Sequence, residues 1–386
     1  MQDFSAQSIV DESVWGQVLG IPEPVVDGLR AVEAFKVTQG WSLFRRPAML
    51  MRRDTLKLGK EIEEISQKDS TKSIRRVFVG ERGCGKTLML LQAMTMAMLK
   101  DWVVINIPDG IYPTSNSRIK PTNPWFAAQD LIIGHTEYAP VPGTSPTQYT
   151  QKVYTASLLS AMSRANPILE TTQLSQPTAA SEIPIPIAPN ISLSRLALLG
   201  ASDPEVAWPI FQLIYRELCL PGRPPMMMCM DGLAQAMGKT QYISAKDYQP
   251  IHAHDFTLIK FFFDHLSGIS RLPNGGAILA STSTSNQPHI PSMNLALSQL
   301  EGKEPVQRDP FAKYDERVLG VFDKGGVEVQ RIGGVTKEEA RGLMEYWARS
   351  GLCRQKVDEG FVGEKWSLSG GGCVGELERV VVRMRV

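Results

Sequence analysis

The sequence lacks a strong charge of either sign. Its 386 residues contain 41 Lys and Arg against 40 Asp and Glu, so the formal net charge is +1. A protein that binds nucleic acid through its overall charge has a strongly basic composition, and this balance excludes that class. It leaves room for a local basic patch.

Cysteine is also scarce, and its spacing excludes the usual metal motifs. There are five cysteines, with neither a CxxC pair nor a Cys/His spacing: Cys84, Cys219, Cys229, Cys353 and Cys373. An odd, dispersed set in apolar surroundings is typical of reduced thiols in a reducing compartment. The close histidine pair, His252-Ala-His254, is too isolated to predict a metal site.

No hydrophobic run approaches the about 18 residues that a membrane-spanning helix needs, so we expect no membrane span. The N-terminus also shows no recognisable targeting signal. The acidic residues Asp11 and Glu12 precede the first arginine, Arg30, whereas a mitochondrial presequence is rich in Arg and poor in acids. An apolar secretory core is missing too. Two alternatives remain open here, a cytosolic protein or a numbering that begins after a removed segment.

The composition predicts a globular protein, since 43% of the residues are hydrophobic and 21% are charged. The pattern along the chain divides it into three regions. The regions are an N-terminal arm with a basic segment (1–73), a core (74–333) and a helical C-terminal region (334–386). Residues 1–40 of the arm alternate short apolar runs with Gly and Pro, so we expect them to be extended. Proline, Ser and Thr dominate about 108–200, which we interpret as an insertion. Within it, 140–190 is expected to have little core of its own, apart from a helix at Thr150–Met162.

Five short apolar segments alternate with predicted helices. They are Arg76–Val79, Trp102–Ile107, Pro225–Met230, Gly276–Thr282 and Val327–Ile332. Strands that alternate with helices indicate βαβ units, and hence an α/β fold with a mainly parallel sheet. Near the C-terminus, Thr336 and Glu339 form a capping box that predicts the start of a further helix.

One motif carries the chemistry. Residues 80–87 read Gly-Glu-Arg-Gly-Cys-Gly-Lys-Thr, which matches the phosphate-binding P-loop, and they lie between a predicted strand and a predicted helix. The glycines let backbone N–H groups point at phosphate oxygens, and the helix adds its positive N-terminal end. Lys86 is expected to reach the β- and γ-phosphates, and Thr87 to ligate Mg²⁺. The predicted nucleotide-binding residues are Gly80, Glu81, Arg82, Gly83, Cys84, Gly85, Lys86, Thr87 and Leu88.

A P-loop protein also needs an acid at the end of a neighbouring strand to hold Mg²⁺, usually through water. Asp231 follows the apolar run 226–230 and is our candidate, although an Asp-Gly pair also ends strands in simple turns. Many P-loop ATPases place a glutamate beside this aspartate to polarise the attacking water, and here the neighbour is Gly232. Nucleotide binding is therefore better supported than turnover, and we expect at most slow hydrolysis of a nucleoside triphosphate.

Two further features of the usual nucleotide hydrolases are weak or missing. Ser281 or Thr282, at the end of a predicted strand, is a candidate γ-phosphate sensor, but a hydroxyl-rich loop explains both residues equally well. The Asn-Lys-x-Asp motif for guanine does not occur. No transition-state arginine can be assigned, and Arg308, Arg317 and Arg379 are better interpreted as surface or packing residues.

Residues 41–60 mix aromatic and basic side chains. The set comprises Trp41, Phe44, Arg45, Arg46, Arg52, Arg53, Lys57 and Lys60. A solvated basic face explains this mixture, and so does a contact to phosphate, either in RNA or in a bound nucleotide. We predict that the segment lies near nucleotide or RNA.

Several segments, taken in order, resemble the death-associated protein three family, which includes the P-loop protein of the mitochondrial small ribosomal subunit. They are Phe44-Arg45-Arg46-Pro47-Ala48-Met49, the P-loop with Leu88, Asp101-Trp102 through Ile107-Pro108-Asp109, Asp231-Gly232, Tyr314–Leu319 and Leu377-Glu378-Arg379. The P-loop alone is generic, but its combination with the first and third segments is specific. The resemblance covers most of 41–386 outside the Pro-rich insertion.

The resemblance implies an AAA+-like P-loop core with a small helical C-terminal domain. It also implies a bound guanine nucleotide, GTP or GDP, with Mg²⁺, for which ATP or ADP is the alternative. Expected partners are proteins of the small-subunit head, bridge contacts to the large subunit and limited ribosomal RNA, which places the chain in the mitochondrial matrix. By motif position, Gly80, Gly85, Lys86, Thr87 and Asp231 carry over as binding residues.

Three functions are compatible with these residues. The leading hypothesis is a structural component of the mitochondrial small ribosomal subunit that holds a nucleotide. The second is a working AAA+-type NTPase, acting as a mechanoenzyme or a signalling switch. The third is a regulatory module in cell-death signalling, for which no residue of the sequence is specific.

Overall fold

The computed structural model describes residues 2–36, 39–67, 70–107, 137–175, 183–282, 288–302, 307–323 and 325–382. Parts of the predicted insertion, 108–136 and 176–182, lie outside the described residues, and so do Pro108-Asp109 and the hydroxyl-rich residues 283–286. The fold below is that of the described ranges.

A five-stranded parallel sheet organises the molecule, in the order β11-β3-β10-β7-β4. The strands of the described residues are β1 (Val18–Gly20), β2 (Ala48–Leu50), β3 (Ser73–Val79), β4 (Val103–Ile107), β5 (Ala139–Pro140), β6 (Tyr149–Thr150), β7 (Met226–Met230), β8 (Lys239–Ile243), β9 (Pro250–His252), β10 (Gly276–Ser281) and β11 (Glu328–Arg331). All five predicted strands belong to this sheet. The predicted α/β class with a mainly parallel sheet is confirmed.

The described residues also form thirteen α-helices. They are α1 (Glu23–Ala31), α2 (Arg53–Ile65), α3 (Lys86–Leu99), α4 (Lys152–Ala165), α5 (Ile168–Thr171), α6 (Leu193–Ser202), α7 (Ala207–Leu218), α8 (Thr257–Leu266), α9 (Pro291–Leu300), α10 (Glu316–Phe322), α11 (Lys337–Arg349), α12 (Glu359–Leu368) and α13 (Val374–Val381). The predicted capping box is present. The Thr336 side chain accepts a hydrogen bond from the Glu339 amide, and the Glu339 side chain accepts one from the Thr336 amide.

The sheet is buried on both faces. Successive side chains of a strand point to opposite sides, so Met226, Met228 and Met230 of β7 pack in one hydrophobic cluster, and Met227 and Cys229 in another. The first cluster includes α4, α6, α7 and α8, and the second includes α2 and α3. Because β7 has no solvent face, its sequence is a continuous apolar run.

The N-terminal 40 residues are not an extended arm, so that expectation is wrong. Phe4, Ile9, Leu19, Ile21 and Leu29 are almost completely buried in the second cluster. Strand β1 pairs antiparallel with β2, and α1 follows directly. The Gly and Pro residues that suggested an extended chain instead separate short elements that cover one face of the sheet.

The expectation that 140–190 has little core is also wrong for its described part. The predicted helix is present as α4, and it buries Tyr154, Leu159 and Met162 in the first cluster, against Leu196 of α6. The abundance of Pro and Ser masked this apolar helical face. The boundaries of the three predicted regions stay predictions.

Helices α11, α12 and α13 share a third, smaller cluster that includes Val335, Met344, Trp347 and Leu377. Leu50 of β2 joins it, so this C-terminal region packs on the N-terminal part of the chain. Among the residues that the structure describes, no helix has both the length and the apolar surface needed to cross a bilayer.

Candidate nucleotide site

The P-loop connects β3 to α3 through three glycines with positive φ. These are Gly80 at 147°, Gly83 at 81° and Gly85 at 99°, a region that side chains disfavour. Gly80 has a second constraint, since a Cβ there would lie 2.3 Å from the carbonyl oxygen of Ile332, just after β11. Glycine at this position thus lets the loop pass next to the edge strand of the sheet.

The N-terminus of α3 is suited to an anion. The helix begins at Lys86, and its N-cap is Gly85, which makes no side-chain capping hydrogen bond. The first-turn N–H groups of a helix have no partners within the helix, and together with the helix dipole they favour a bound phosphate. This cradle fits a nucleotide phosphate group, as the motif predicts.

Lys86 lies at the centre of the loop. Its ammonium donates to the backbone carbonyl oxygens of Gly80 at 2.8 Å and Glu81 at 2.7 Å. The side chain is buried, and this burial lowers the pKa of the Lys86 ammonium. Glu81 and Arg82, which precede it, are exposed. Lys86 is therefore the positive side chain that the loop itself orients.

Two predicted site residues contact the carboxylate of a third, Asp231. The Thr87 hydroxyl donates to Asp231 Oδ2 at 2.9 Å, and the Ser281 hydroxyl donates to Asp231 Oδ1. Asp231 is buried, and the amide of Gly232 also donates to its Oδ1 at 3.1 Å. Strand β10 lies between β3 and β7 in the sheet, so the residues that follow these strands meet at one carboxyl edge.

The two sensor candidates differ in their contacts. Ser281 touches Asp231, whereas the Thr282 hydroxyl donates to the backbone oxygen of Phe78 in β3 at 3.3 Å. Only Ser281 thus joins the carboxylate cluster. The sensor role itself stays a prediction.

No carboxylate side chain follows Asp231 in its turn. Gly232 has a φ of 72° and leads into the 3₁₀ helix Leu233–Ala236, where Leu233 and Ala234 are fully buried. Within the described ranges, no group of three or more His, Cys, Asp or Glu side chains could hold a metal ion. A Mg²⁺ ion at Asp231 and Thr87 would therefore depend on phosphate oxygens and water for its other ligands, as Mg²⁺ in nucleotide sites commonly does.

The three arginines weighed as transition-state residues are in surface ion pairs. Arg308 pairs with Glu316 at 3.7 Å, Arg317 with Asp255 at 3.3 Å, and Arg379 with Glu376. These contacts agree with their interpretation as surface residues.

Two basic residues at the site were not among the predicted site residues. Lys36 lies with its ammonium 2.5 Å from Asp231 Oδ2. Arg52 is buried and donates to the carbonyl oxygens of Cys84 at 3.0 Å and Gly333 at 2.9 Å. Arg52 belongs to the basic segment 41–60, so its proximity to the P-loop agrees with that prediction, but no pattern in the sequence marks Lys36.

The C-terminal region closes on the P-loop. The amide of Gly375, in the first turn of α13, donates to the carbonyl oxygen of Gly83 at 3.0 Å. The thiol of Cys373 donates to the carbonyl oxygen of Arg82 at 3.3 Å. Burial raises the pKa of the buried Cys84 thiol, with a smaller effect from Cys373. The loop is thus held by α13 on one side and by Arg52 on another.

A cavity of about 90 Å³ lies beside Gly85. It is mostly apolar, and its walls come from the N-terminal segment (Trp41, Met49), from α3 (Leu88) and from the C-terminal region (Leu343, Val374). This position next to the phosphate cradle suits the less polar part of a nucleotide. Leu88, one of the predicted nucleotide-binding residues, lines this cavity, and its role in binding stays a prediction.

A wider groove of about 910 Å³ lies between β1 and α11. Arg45, Arg46 and Arg349 line it, together with the stacked rings of Phe44 and Tyr346, whose centroids are 5.1 Å apart. Arg46 pairs with Asp3 at 2.7 Å, while Arg45 is exposed. Arg45 and Arg46 thus line a groove that is separate from the loop that Arg52 contacts.

Comparison with known proteins identifies the family. Residues 49–117 and 125–380 match the model of the family described as mitochondrial ribosomal death-associated protein 3. The chain is 43% identical over 373 residues to small ribosomal subunit protein mS29 of Neurospora crassa, covering 94% of this chain and 74% of the relative. It is 24% identical over 349 residues to the protein of the same name in Schizosaccharomyces pombe, covering 89% and 67%. The resemblance noted in the sequence is confirmed, and the chain belongs to the mitochondrial ribosomal death-associated protein 3 family.

Proposed function

We propose that this chain is a structural component of the mitochondrial small ribosomal subunit and that it holds a guanine nucleotide with Mg²⁺ at its P-loop. The ribosomal role follows from the family, whose description is that of a mitochondrial ribosomal protein, and from the two small-subunit relatives. The chain is accordingly a mitochondrial protein with ribosomal proteins as neighbours. We place it in the head of the subunit, with bridge contacts to the large subunit.

One observation carries the nucleotide proposal. The uncapped N-terminus of α3, the Lys86 ammonium and the Thr87–Asp231 pair lie at one carboxyl edge of the parallel sheet. Ligands of open α/β sheets bind at this edge. A phosphate on the helix N-terminus would lie beside Lys86 and Thr87, and a bound Mg²⁺ would neutralise phosphate charge there.

The guanine base is expected from the family resemblance, with adenine as the alternative. The small cavity beside Leu88 supports a base or ribose next to the phosphates, because its walls are mostly apolar. The test is the identity of the nucleotide released from purified, denatured protein, measured by chromatography and mass spectrometry. GDP or GTP supports the proposal, whereas ADP or ATP rejects the guanine assignment and keeps the site. Failure of the nucleotide-free protein to bind any of GDP, GTP, ADP and ATP would reject both the guanine assignment and the nucleotide site.

The residue after Asp231 favours a nucleotide that is retained without hydrolysis over one that is repeatedly hydrolysed and replaced. Gly232 offers no carboxylate to polarise a water molecule, and Leu233 and Ala234 are buried. The experiment is a phosphate-release assay with excess GTP, using Lys86→Ala as its control. We expect no sustained release. Continuous hydrolysis that disappears in Lys86→Ala would instead establish a working NTPase.

Contact with ribosomal RNA is proposed to be limited to the wide groove. Its arginines and paired aromatic rings suit a phosphate backbone, and the formal net charge of +1 means that the composition as a whole is not basic. We expect Arg45→Glu to lower the fraction of the chain that co-sediments with mitochondrial small subunits. The matched control is Arg354→Glu, which reverses an exposed arginine that does not line the groove. If both variants co-sedimented with small subunits to the same extent, the proposal that the groove contacts RNA would be rejected.

A further inference from the structure

Lys36 occupies a particular position at the candidate site. Its ammonium is 2.5 Å from Asp231 Oδ2, the oxygen that also accepts the Thr87 hydroxyl at 2.9 Å. Thr87 and Asp231 are the two side chains that would hold Mg²⁺. The chain therefore places a cation of its own against the metal-binding pair.

The path of the chain explains how Lys36 reaches this point. The carbonyl oxygen of Val32 accepts a hydrogen bond from Asn106 of β4 at 2.8 Å, and Trp41 lines the small cavity with Leu88 of α3. The described residues on either side of 37–38 thus lie along the carboxyl edge of the sheet, with Val32 at β4 and Trp41 near the P-loop helix. Between these two points, Lys36 contacts Asp231, the residue that follows β7.

The local backbone also holds Lys36. Its amide donates to Gln39 Oε1 at 3.3 Å, and the Gln39 amide donates to its carbonyl oxygen at 3.1 Å. The Lys36 side chain is 21% exposed and that of Asp231 is 5% exposed, so the ion pair is largely shielded from water. A shielded pair of this kind is stronger than one on the surface.

Charge makes Lys36 and a metal ion exclude each other. A buried carboxylate requires a cation or several hydrogen-bond donors, and Asp231 has both Lys36 and three donors. A divalent ion bound near the same oxygen would repel the ammonium strongly at this low exposure. Entry of Mg²⁺ thus requires the Lys36 side chain to leave Asp231.

We propose that Lys36 is a built-in cation that takes the place of Mg²⁺ at Asp231, so that the chain retains its nucleotide with little dependence on Mg²⁺. The inference rests on the proposed nucleotide site and adds a positioning residue to it. Without Mg²⁺, the ammonium neutralises Asp231 and removes its repulsion of the phosphates. With Mg²⁺, part of the gain from the metal is offset by the lost Lys36–Asp231 pair. Such a site suits a protein that keeps a nucleotide as part of its structure.

The test compares GDP affinity in excess MgCl₂ and in EDTA, using a fluorescent GDP analogue and the full chain. In the native chain we expect the dissociation constant in EDTA to exceed that in MgCl₂ by less than about tenfold. In Lys36→Gln we expect this ratio of EDTA to MgCl₂ constants to rise by about tenfold or more, because a charge-assisted contact is lost. Lys36→Arg keeps the cation and should keep the low ratio. Lys246→Gln removes an exposed lysine outside the predicted binding residues and is the charge-matched control.

A second measurement separates failure of this inference from failure of the proposed function. Thermal unfolding of the nucleotide-free chains in inorganic pyrophosphate, which supplies phosphate oxygens, should show a Mg²⁺-dependent rise in midpoint for Lys36→Gln and little or none for the native chain. If no variant binds GDP, the proposed function fails, and this midpoint still tests Lys36. The inference would be overturned if the ratio of GDP dissociation constants and the Mg²⁺-dependent midpoint shift were the same in the native and Lys36→Gln proteins. If Lys36→Gln lowered only the stability, Lys36 would be a structural ion-pair residue.

Discussion

The guanidinium of Arg52 donates a hydrogen bond to the carbonyl oxygen of Cys84 over 3.0 Å, which ties the residue before α2 to the middle of the P-loop. The same guanidinium donates to the carbonyl oxygens of Gly333 and Gly334, at 2.9 and 3.3 Å. Glu339 and Asp54 lie 4.0 and 3.9 Å away and balance its charge. One buried arginine thus joins the N-terminal segment, the phosphate loop and the connection into the C-terminal helices.

Replacement of Arg52 by alanine should lower the free energy of unfolding by about 3 kcal/mol, since buried carbonyl groups lose charged donors. Arg52→Lys should recover little, because one ammonium cannot reproduce the geometry of the guanidinium. Urea unfolding measures both effects. The control is Arg53→Ala, an exposed neighbour that packs over the Trp15 ring at 4.5 Å and should cost less than about 1 kcal/mol. Equal losses at the two positions would contradict the bridging role of Arg52.

A glycine pair separates steric conflict from backbone strain. Gly80 and Gly222 both have positive φ, 147° and 77°, but a Cβ on Gly80 meets the Ile332 oxygen at 2.3 Å, while a Cβ on Gly222 meets nothing within 4 Å. We expect Gly222→Ala to cost about 1 kcal/mol of stability and Gly80→Ala about 3 kcal/mol or more. Chemical unfolding of both variants gives the comparison. If Gly80→Ala costs no more than Gly222→Ala, the edge strand is not in close contact with the loop.

Lys86→Ala should abolish nucleotide binding and lower the thermal midpoint. The carbonyl oxygens of Gly80 and Glu81 lose their donor, at a cost of about 1 to 3 kcal/mol. The variant also loses stabilisation by bound nucleotide, about 2.7 kcal/mol at a hundred times the dissociation constant. Scanning calorimetry with and without GDP tests both parts, with Lys246→Ala, at an exposed position, as the control. A midpoint that GDP leaves unchanged in the native protein and in Lys86→Ala alike would refute the nucleotide part.

The elements that could be predicted from the sequence are those set by local pattern. The spacing of residues 80–87 between a strand and a helix predicts the P-loop, and Asp231 is a candidate because it follows a buried strand. The fold class followed from the alternation of apolar segments. Each of these features depends on residues that are close in the sequence, so a single chain is enough to identify them.

The contacts that complete the site are long-range, and the sequence does not reveal them. Arg52 and Gly333 are 281 positions apart, and only the folded chain brings them together. Lys36 meets Asp231 only in the folded chain, a contact that no periodicity of the sequence encodes. The same reason underlies the error about the N-terminal arm, whose short apolar runs gain a core only when they pack on α2 and α3.

Stability should fall in mild acid because of buried histidines, with His254 as the clearest case. Burial, with a smaller contribution from the neighbouring His252, lowers the pKa of His254 from 6.5 to about 3. Its Nε2 is buried with no hydrogen-bond partner among the described residues, and its ring packs on Phe263 at 4.5 Å. The folded state therefore keeps His254 neutral, while the unfolded state takes up a proton below pH 6.5. The contribution to stability is complete above pH 6.5 and is lost as the pH falls.

The loss should approach about 1.4 kcal/mol per pH unit for this histidine between pH 6.5 and about pH 5. His254→Phe removes the titrating group and keeps an aromatic ring against Phe263, so the slope of unfolding free energy against pH should decrease by that amount. His252 and His265, whose pKa values burial also lowers, should maintain the remaining slope. The control is His289→Gln, at an exposed position, which should leave the slope unchanged. Urea unfolding across this pH range measures the slopes, and a His254→Phe slope equal to that of the native chain would mean that His254 is protonated in the folded state.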